Sequence, residues 1–316
     1  MKIYGERELG AARGLGGKAL LRRALLAGPV NALALGLARP WATRFPRLRR
    51  LPVAAAEVAY RLGSGEAVVL VAPAACDVAK DVYWGRGQRC ARDDQHVLRL
   101  FEALAARSEI CVDIGSYSGL FTLVAARASA TIACHAYEIL PEVYLLLLRN
   151  LVRNDLVVRC RANLCGLGAG PGEVVMPRTL SGSVLPSSLS LGSRFADGVR
   201  IPVTTLDREF HGVCGARILV KIDVEGFEAD VFAGGEAFFR DNRPDIVCEV
   251  LPGADAGDRI TAQLAPLGYR FAQFSADGLR ERPAIAPSRA GKDWLLTTRD
   301  PASLSAWVPI AETAPP

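Results

Sequence analysis

From about residue 107 onward, short apolar runs alternate with longer segments whose apolar positions repeat with a helical period. The apolar runs have the length and composition of strands that are buried on both faces. The predicted strands cover residues 109–114, 131–137, 157–162, 218–224, 245–251, 269–274 and 294–298. The predicted helices cover residues 119–127, 141–153, 227–240 and 258–267. This alternation predicts an α/β fold with a mostly parallel, seven-stranded sheet and helices on both faces.

A longer insert separates the third and fourth of these strands. Residues 173–176 and 199–203 have the pattern of two short strands. Nine of the 15 residues from Ser181 to Phe195 between them are Ser, Gly or Pro, which predicts a mobile loop. The insert, about 173–203, is then either a lid over an active site or a plain surface hairpin with a long loop.

The pattern before residue 107 is weaker and divides the chain in two. Residues 1–60 are rich in Ala and Arg and favour helix, residues 66–72 favour a strand, and residues 93–106 favour a helix. We therefore predict a basic, largely helical N-terminal extension over residues 1–85 and a main domain over residues 86–316.

The longest uncharged stretch, residues 24–38, has 15 residues, fewer than the ~18–20 that span a bilayer. Glu6 and Glu8 precede it, which disfavours a signal peptide. We expect a helix that either packs on the body of the protein or rests on a membrane surface.

The composition indicates a globular protein whose charge is unevenly distributed along the chain. The chain is 50% hydrophobic and 22% charged, which excludes a disordered protein. The net charge is +5, but residues 1–61 hold 12 Lys and Arg against 3 Asp and Glu, whereas the remainder holds 26 against 30. A basic segment attracts a membrane surface, nucleic acid or anionic substrates, or is simply a solvated face. Because only five of the 38 basic residues are Lys, the abundance of Arg is weak support for nucleic-acid binding, and we expect none.

The cysteines and histidines do not form a metal or disulfide framework. The eight cysteines include no C-x-x-C pair, and the chain has three histidines. A structural zinc site and a disulfide scaffold are therefore not expected, and the free thiols fit a reducing cytoplasm.

Two segments carry candidate binding chemistry. The first predicted strand ends in Asp113-Ile-Gly-Ser-Tyr-Ser-Gly119, where glycines at a strand-to-helix turn let a ligand approach the backbone. The spacing lacks the G-x-G-x-x-G of dinucleotide sites. Glu138 ends the second strand, where a carboxylate can accept hydrogen bonds from both hydroxyls of a ribose; the alternative is an exposed Glu.

The fourth strand carries three ionisable residues, Lys221, Asp223 and Glu225, on one face. In a central parallel strand such groups are costly unless they pair with one another or serve a function. Both alternatives stay open from the residues alone.

Together these segments resemble the FkbM family of S-adenosylmethionine-dependent methyltransferases over about residues 107–298. Leu219 to Gly234 resembles the family's KIDVEGxE signature and the helix after it, and Asp113 to Gly119 resembles its cofactor loop. The segments Ala136–Pro141, Arg149-Asn150, Thr205–Asp207 and Cys248–Val250 match further motifs in the same order. The family usually has Ala-Asn where this chain has Ser116-Tyr117.

The resemblance implies the Rossmann-like fold of class I methyltransferases, S-adenosylmethionine as cofactor, and methyl transfer to a nucleophile, usually a hydroxyl. The implied cofactor-binding residues are Asp113, Gly115, Ser116, Tyr117, Gly119 and Glu138. Asp223 is the implied base or substrate-orienting group, with Lys221 and Glu225 tuning its charge. Asp207, Glu249 and His96 are lesser candidates.

Three hypotheses follow for the function. The first is O-methylation of a hydroxyl on a sugar, glycolipid or secondary metabolite. The substrate would then be a small molecule or a glycan-linked or lipid-linked hydroxyl. The second adds a divalent metal held by Asp207, Asp223 and Glu249. The third is a non-catalytic binding module held at a membrane surface by the basic N-terminal segment. In each case we expect a cytoplasmic protein, with peripheral membrane contact as an alternative.

Overall fold

A computed structural model gives the arrangement of these elements. The structure describes residues 3–4, 27–42, 44–178, 192, 194–195, 197–252, 255–288 and 291–311. The described strands are β1 Ile3–Tyr4, β2 Glu57–Arg61, β3 Ala67–Val71, β4 Ile110–Ile114, β5 Ala133–Glu138, β6 Cys160–Leu164, β7 Gly166–Leu167, β8 Gly172–Met176, β9 Arg194–Phe195, β10 Val199–Thr204, β11 Ile218–Ile222, β12 Asp245–Glu249, β13 Arg270–Ser275, β14 Gly278–Arg282 and β15 Asp293–Thr297. The described helices are α1 Gly28–Ala38, α2 Asp77–Trp84, α3 Arg92–Ala105, α4 Leu120–Ala128, α5 Pro141–Arg153, α6 Leu206–Glu209, α7 Glu228–Ala233, α8 Glu236–Asn242 and α9 Ala256–Leu264.

The main sheet confirms the predicted α/β class. Its strand order is β14-β13-β15-β12-β11-β4-β5-β6. Strands β12, β11, β4, β5 and β6 run parallel, and β15, β13 and β14 add antiparallel pairs at one edge. The sheet has eight strands and not seven, because the polar segment Gly278–Arg282 pairs with β13. The carboxyl ends of β4, β5, β11 and β12 therefore meet at one edge.

Helices cover both faces of this sheet. One apolar cluster joins the sheet to α3, α4 and α5, with Phe101, Leu123 and Leu147 fully buried. A second cluster joins the other face to α7, α8 and α9 and includes the fully buried Phe232 and Phe239. Burial of both faces explains why the central strands are continuous apolar runs.

The predicted helix over residues 227–240 is two helices. Helix α7 ends before Gly234-Gly235, and α8 begins directly after these two glycines. Two consecutive glycines disfavour a continuous helix, and a Cβ on Gly234 would lie 2.0 Å from the carbonyl oxygen of Gly168. The helical periodicity on both sides of the break concealed it.

The N-terminal part of the chain contains a hairpin that packs on the main domain. Strands β2 and β3 are antiparallel, so residues 57–61 form a strand where the sequence favoured helix. Asn150 Oδ1 accepts a hydrogen bond from the backbone N–H of Val71, and Asn154 Oδ1 accepts one from Val69, each at 2.8 Å. The domain boundary at residue 85 stays a prediction, although the hairpin shares the hydrophobic cluster of α3 to α5.

The insert contains the two predicted short strands. Strands β8 and β10 pair antiparallel, and β7 joins β10 in parallel. The predicted mobile loop, Ser181 to Phe195, lies for the most part outside the described residues. None of the helices in the described part of the chain has the length and apolarity to cross a membrane.

Candidate active site

A cavity of about 510 Å³ lies at the carboxyl ends of β4, β5, β11 and β12. Its volume is within the range of small-molecule sites, and its position is where ligands bind in open α/β sheets. Seven of the nine predicted site residues line it, namely Gly115, Ser116, Tyr117, Glu138, Lys221, Asp223 and Glu225. The other two, Asp113 and Gly119, lie behind its wall.

Gly115 lies where the segments that follow β4 and β11 come into close contact. Its φ is +75°, and a Cβ at this position would lie 1.8 Å from the backbone oxygen of Asp223. The N–H of Asp223 in turn donates to the carbonyl oxygen of Ile114 at 2.9 Å. The glycine is therefore required by the close approach of the β4 and β11 loops, in addition to any approach of a ligand.

Gly119 and Asp113 hold the helix that begins behind the cavity wall. Gly119 has φ +78°, and an added Cβ would lie 2.4 Å from Leu147 Cδ1. Asp113 Oδ2 accepts hydrogen bonds from the backbone N–H and the hydroxyl of Thr122, at 3.0 and 2.6 Å. Burial raises the pKa of Asp113 to about 6, and its buried Oδ1 has no hydrogen-bond partner among the described residues.

Ser116 and Tyr117 shape the turn between Gly115 and α4. The hydroxyl of Ser116 donates to the backbone oxygen of Asp113 at 2.7 Å. Tyr117 has φ +48°, and its hydroxyl accepts a hydrogen bond from the N–H of Asp77 at 3.5 Å. Tyr117 thus links the turn after β4 to α2, in the N-terminal part of the chain.

Glu138 is buried at the end of β5, with 6% of its surface exposed. Its Oε1 accepts from the N–H groups of Ile139 and Leu140, and its Oε2 accepts from the N–H of Tyr117, all at 2.8–2.9 Å. Burial raises the pKa of this carboxyl to about 7, although the three N–H donors act in the opposite direction. A carboxylate offers about four acceptor positions, so the three N–H donors leave about one position on Oε2 unused.

Buried Lys221 pairs with the partly exposed Asp223 at the end of β11. The distance from Lys221 Nζ to Asp223 Oδ2 is 3.5 Å, and Nζ also donates to the backbone oxygen of Ile222 at 3.2 Å. Burial opposes the charge of Lys221, but Asp223, Asp293 and Glu249 together hold the pKa of this lysine above its usual value. The lysine is therefore a fixed cation beside Asp223, whose side chain is 32% exposed.

The loop after Asp223 is held by a buried carboxylate. Glu225 has φ +55° and Gly226 has φ +96°. Glu228 Oε1 accepts from the N–H groups of Val224 and Gly226, at 3.3 and 3.0 Å. Burial, followed by the charges of Asp223 and Glu249, raises the pKa of Glu225 to about 7.

A second set of charges, of which the sequence had suggested only Glu249, completes this end of the cavity. Lys292 Nζ lies 2.5 Å from Glu249 Oε1, and both residues line the cavity with Asp293. Burial raises the pKa of Asp293 to about 7, with Lys221 acting in the opposite direction. The end of the cavity around Asp223 is thus rich in carboxyl groups and suits a ligand that carries positive charge.

The sequence profile of the methyltransferase FkbM domain matches residues 113–271, half of the chain. The chain belongs to the FkbM methyltransferase family. The matched profile describes a methyltransferase domain. No curated protein matches the sequence.

Solved structures that are similar to this FkbM family member include the following three. Methyltransferase FkbM of Methylobacillus flagellatus is 16% identical with a TM-score of 0.41, over 60% of this chain and 43% of that chain. This chain therefore spans less than half the length of that relative. A SAM-dependent methyltransferase of Agrobacterium tumefaciens is 10% identical, with a TM-score of 0.41 and coverage of 78% and 71%. A precorrin-6y C5,15-methyltransferase of Geobacter metallireducens is 12% identical, with a TM-score of 0.37 and coverage of 65% and 87%.

Part of the cavity wall lies outside the segment that matches the FkbM profile. Arg49 and Arg50 line the cavity from the N-terminal part of the chain, as does α2 with Asp77, and Lys292 lines it from the C-terminal side. No local motif marks these residues, because packing distant in sequence brings them to the site. The rarity of Lys in the chain is the one sequence signal that could have pointed to Lys292.

Of the three lesser candidates from the sequence, Glu249 lines the cavity, whereas Asp207 and His96 make other contacts. Asp207 accepts from the N–H groups of Ala237 and Phe238 at the start of α8 and does not line the cavity. His96 Nδ1 lies 3.0 Å from the backbone oxygen of Ser275. Within the described ranges, no three His, Cys, Asp or Glu side chains are grouped as metal ligands, so Asp207, Asp223 and Glu249 do not form the hypothesised metal set.

Proposed function

We propose that the protein O-methylates a hydroxyl of a sugar, glycolipid or secondary metabolite, with S-adenosylmethionine as the methyl donor. The observation that carries this proposal is the cavity itself. The glycine turn after β4, Glu138 at the end of β5 and the Lys221–Asp223 pair at the end of β11 all line it. One cavity thus provides groups suited to a nucleoside and a carboxylate suited to a proton transfer.

The residues present fit the donor. Glu138 lines the cavity with an open acceptor position on Oε2, which suits a ribose hydroxyl. Gly115, Ser116 and Tyr117 present the loop against which the nucleoside would lie. Asp113 and Gly119 would act from behind this wall by fixing the start of α4. When bound, S-adenosylmethionine supplies an electrophilic methyl group on a cationic sulfonium, which the carboxyl-rich end of the cavity would stabilise.

Asp223 is the proposed base. Its partly exposed carboxylate can accept the proton of an acceptor hydroxyl as that oxygen is methylated. Lys221 holds this carboxylate from the buried side, and Glu225 adds a neighbouring carboxyl that tunes the local charge. The free cysteines of the chain are compatible with the proposed cytoplasmic location.

The other two hypotheses have less support. The metal-assisted reaction loses its proposed ligand set, because both carboxylate oxygens of Asp207 bind the N-terminus of α8. A non-catalytic module would not need the buried cation beside Asp223, which is costly unless it serves a purpose.

Replacement of Glu138 by Ala tests the proposed cofactor site. We expect Glu138→Ala to weaken S-adenosylmethionine binding by about 1.5–3 kcal/mol, the typical contribution of hydrogen bonds to a charged group. Isothermal titration calorimetry on the wild type and the variant measures the difference.

Glu236→Ala is the matched control, because Glu236 is an exposed carboxylate outside the cavity. Its affinity should equal that of the wild type. Thermal unfolding of both variants separates a local loss of binding from a loss of fold. A folded Glu138→Ala protein with unchanged affinity would remove Glu138 from the site.

A further inference from the structure

Helix α1 and the turn after it carry an apolar stripe that the described residues leave uncovered. Its members are large apolar side chains at least half exposed, namely Val30 (50%), Leu33 (66%), Leu37 (68%), Trp41 (56%) and Phe45 (52%). Positions 30, 33, 37 and 41 follow the spacing of one helix face. We call these five residues the apolar stripe.

The opposite face of the same segment is fixed to the body of the protein. Leu35, Ala38 and Ala42 are buried in a cluster with Val53 and Trp84. In addition, the side chain of Asn31 donates to the backbone oxygen of Pro52 at 2.8 Å and accepts from the N–H of Ala54 at 2.9 Å. The apolar stripe is therefore held outward on a packed element and is not a frayed end.

Several basic residues accompany the apolar stripe. Residues 9–56 contain nine Lys and Arg and no Asp or Glu. Five of these arginines, Arg39, Arg44, Arg47, Arg49 and Arg50, lie on or next to the segment of the apolar stripe, and none forms an ion pair with a carboxylate of the described residues. Exposed aromatic and aliphatic side chains flanked by arginines match the chemistry of an anionic lipid surface.

The same segment reaches the cavity. Arg49 and Arg50, directly after the apolar stripe, line the cavity together with Asp77 and Lys80 of α2. Trp84 at the end of α2 packs on the buried side of α1. A surface bound through the apolar stripe would therefore lie beside the cavity wall that Arg49 and Arg50 form.

We propose that the apolar stripe and its arginines dock the protein on an anionic membrane surface, so that the methyl acceptor is a hydroxyl of a membrane lipid or lipid-linked glycan. The docking itself follows from the surface alone, whereas the class of acceptor rests on the proposed methyl transfer. The bilayer would take up the apolar side chains and attract the arginines, which is the binding mode of an interfacial helix.

Vesicle co-sedimentation of the full chain tests the docking. The probe is phosphatidylcholine vesicles with about one third phosphatidylglycerol, compared with pure phosphatidylcholine. We expect the wild type to bind the anionic vesicles and to bind the neutral vesicles at least ~10-fold more weakly. The double variant L33Q/L37Q should bind the anionic vesicles at least ~10-fold more weakly than the wild type does. The control L145Q/V158Q changes two apolar residues exposed elsewhere (56% and 99%) and should bind as the wild type does.

Several outcomes would overturn the docking. In the vesicle assay, they are an absence of wild-type binding to anionic vesicles and equal binding by L33Q/L37Q and the wild type. In sedimentation analysis, it is a wild-type dimer that the L33Q/L37Q substitutions convert to monomers. The last outcome would mean that a second copy covers the apolar stripe. Titration of the same preparations with S-adenosylmethionine keeps the two proposals apart, because intact cofactor binding without vesicle binding rejects the docking alone.

Discussion

Asp223→Asn should abolish most of the methyl transfer and leave cofactor binding nearly intact. A positioned general base contributes about 10²–10⁴-fold to a rate, and Asn cannot accept the proton of the acceptor hydroxyl. Asn keeps the size of the side chain, and Lys221 retains Asp293 and Glu249 as neighbouring charges. We therefore expect a fall of this size in the rate, with an affinity for S-adenosylmethionine within about threefold of the wild type.

Transfer of labelled methyl groups to extracts of cells that carry the gene measures the rate, and calorimetry measures the affinity. Asp230→Asn is the matched control, because Asp230 lies in the helix after the same loop and pairs with Arg259 at 3.3 Å on the surface. Its rate should stay within about twofold of the wild type. A rate near the wild-type value in Asp223→Asn would exclude Asp223 as the base.

Gly115→Ala should be the most damaging single substitution in the site. The new Cβ would lie 1.8 Å from the backbone oxygen of Asp223, so the β4 and β11 loops would have to separate. The residue also has φ +75°, a conformation that costs an L-residue about 1–2 kcal/mol. We expect a total loss of about 4 kcal/mol or more in the free energy of unfolding, together with a loss of cofactor binding.

Gly212→Ala separates the collision from the backbone strain. Gly212 has φ +80°, but an added Cβ would meet nothing within 4 Å. Its loss of stability in urea denaturation should therefore be only the ~1–2 kcal/mol of the strained conformation. Equal losses in the two variants would contradict the close contact between Gly115 and Asp223.

The fold was predictable because its strands are buried on both faces. The helix over Pro141–Arg153 matches its predicted bounds, and the five parallel strands lie within a few residues of theirs. The polar strand Gly278–Arg282 was missed, because it carries one large apolar residue, Leu279, and depends on pairing with β13. The strand Glu57–Arg61 was missed because its partner, and not its own composition, determines its conformation.

The lining of the cavity was predictable where its residues share a motif. Glu138, Lys221 and Asp223 all reach the cavity, since each lies at or beside the carboxyl end of a parallel strand. Asp113, at the same edge, turns behind the wall to Thr122, and a sequence pattern cannot distinguish the two orientations. Arg49 and Lys292 reach the cavity through packing between distant segments, which no local pattern records.

A crystal structure with S-adenosylhomocysteine tests the central claim most directly. We predict that the ligand occupies the cavity at the carboxyl ends of β4, β5 and β11, with a ribose hydroxyl at Oε2 of Glu138 and the sulfur toward Asp223. An empty cavity at saturating ligand, or a ligand bound elsewhere on the protein, would contradict it.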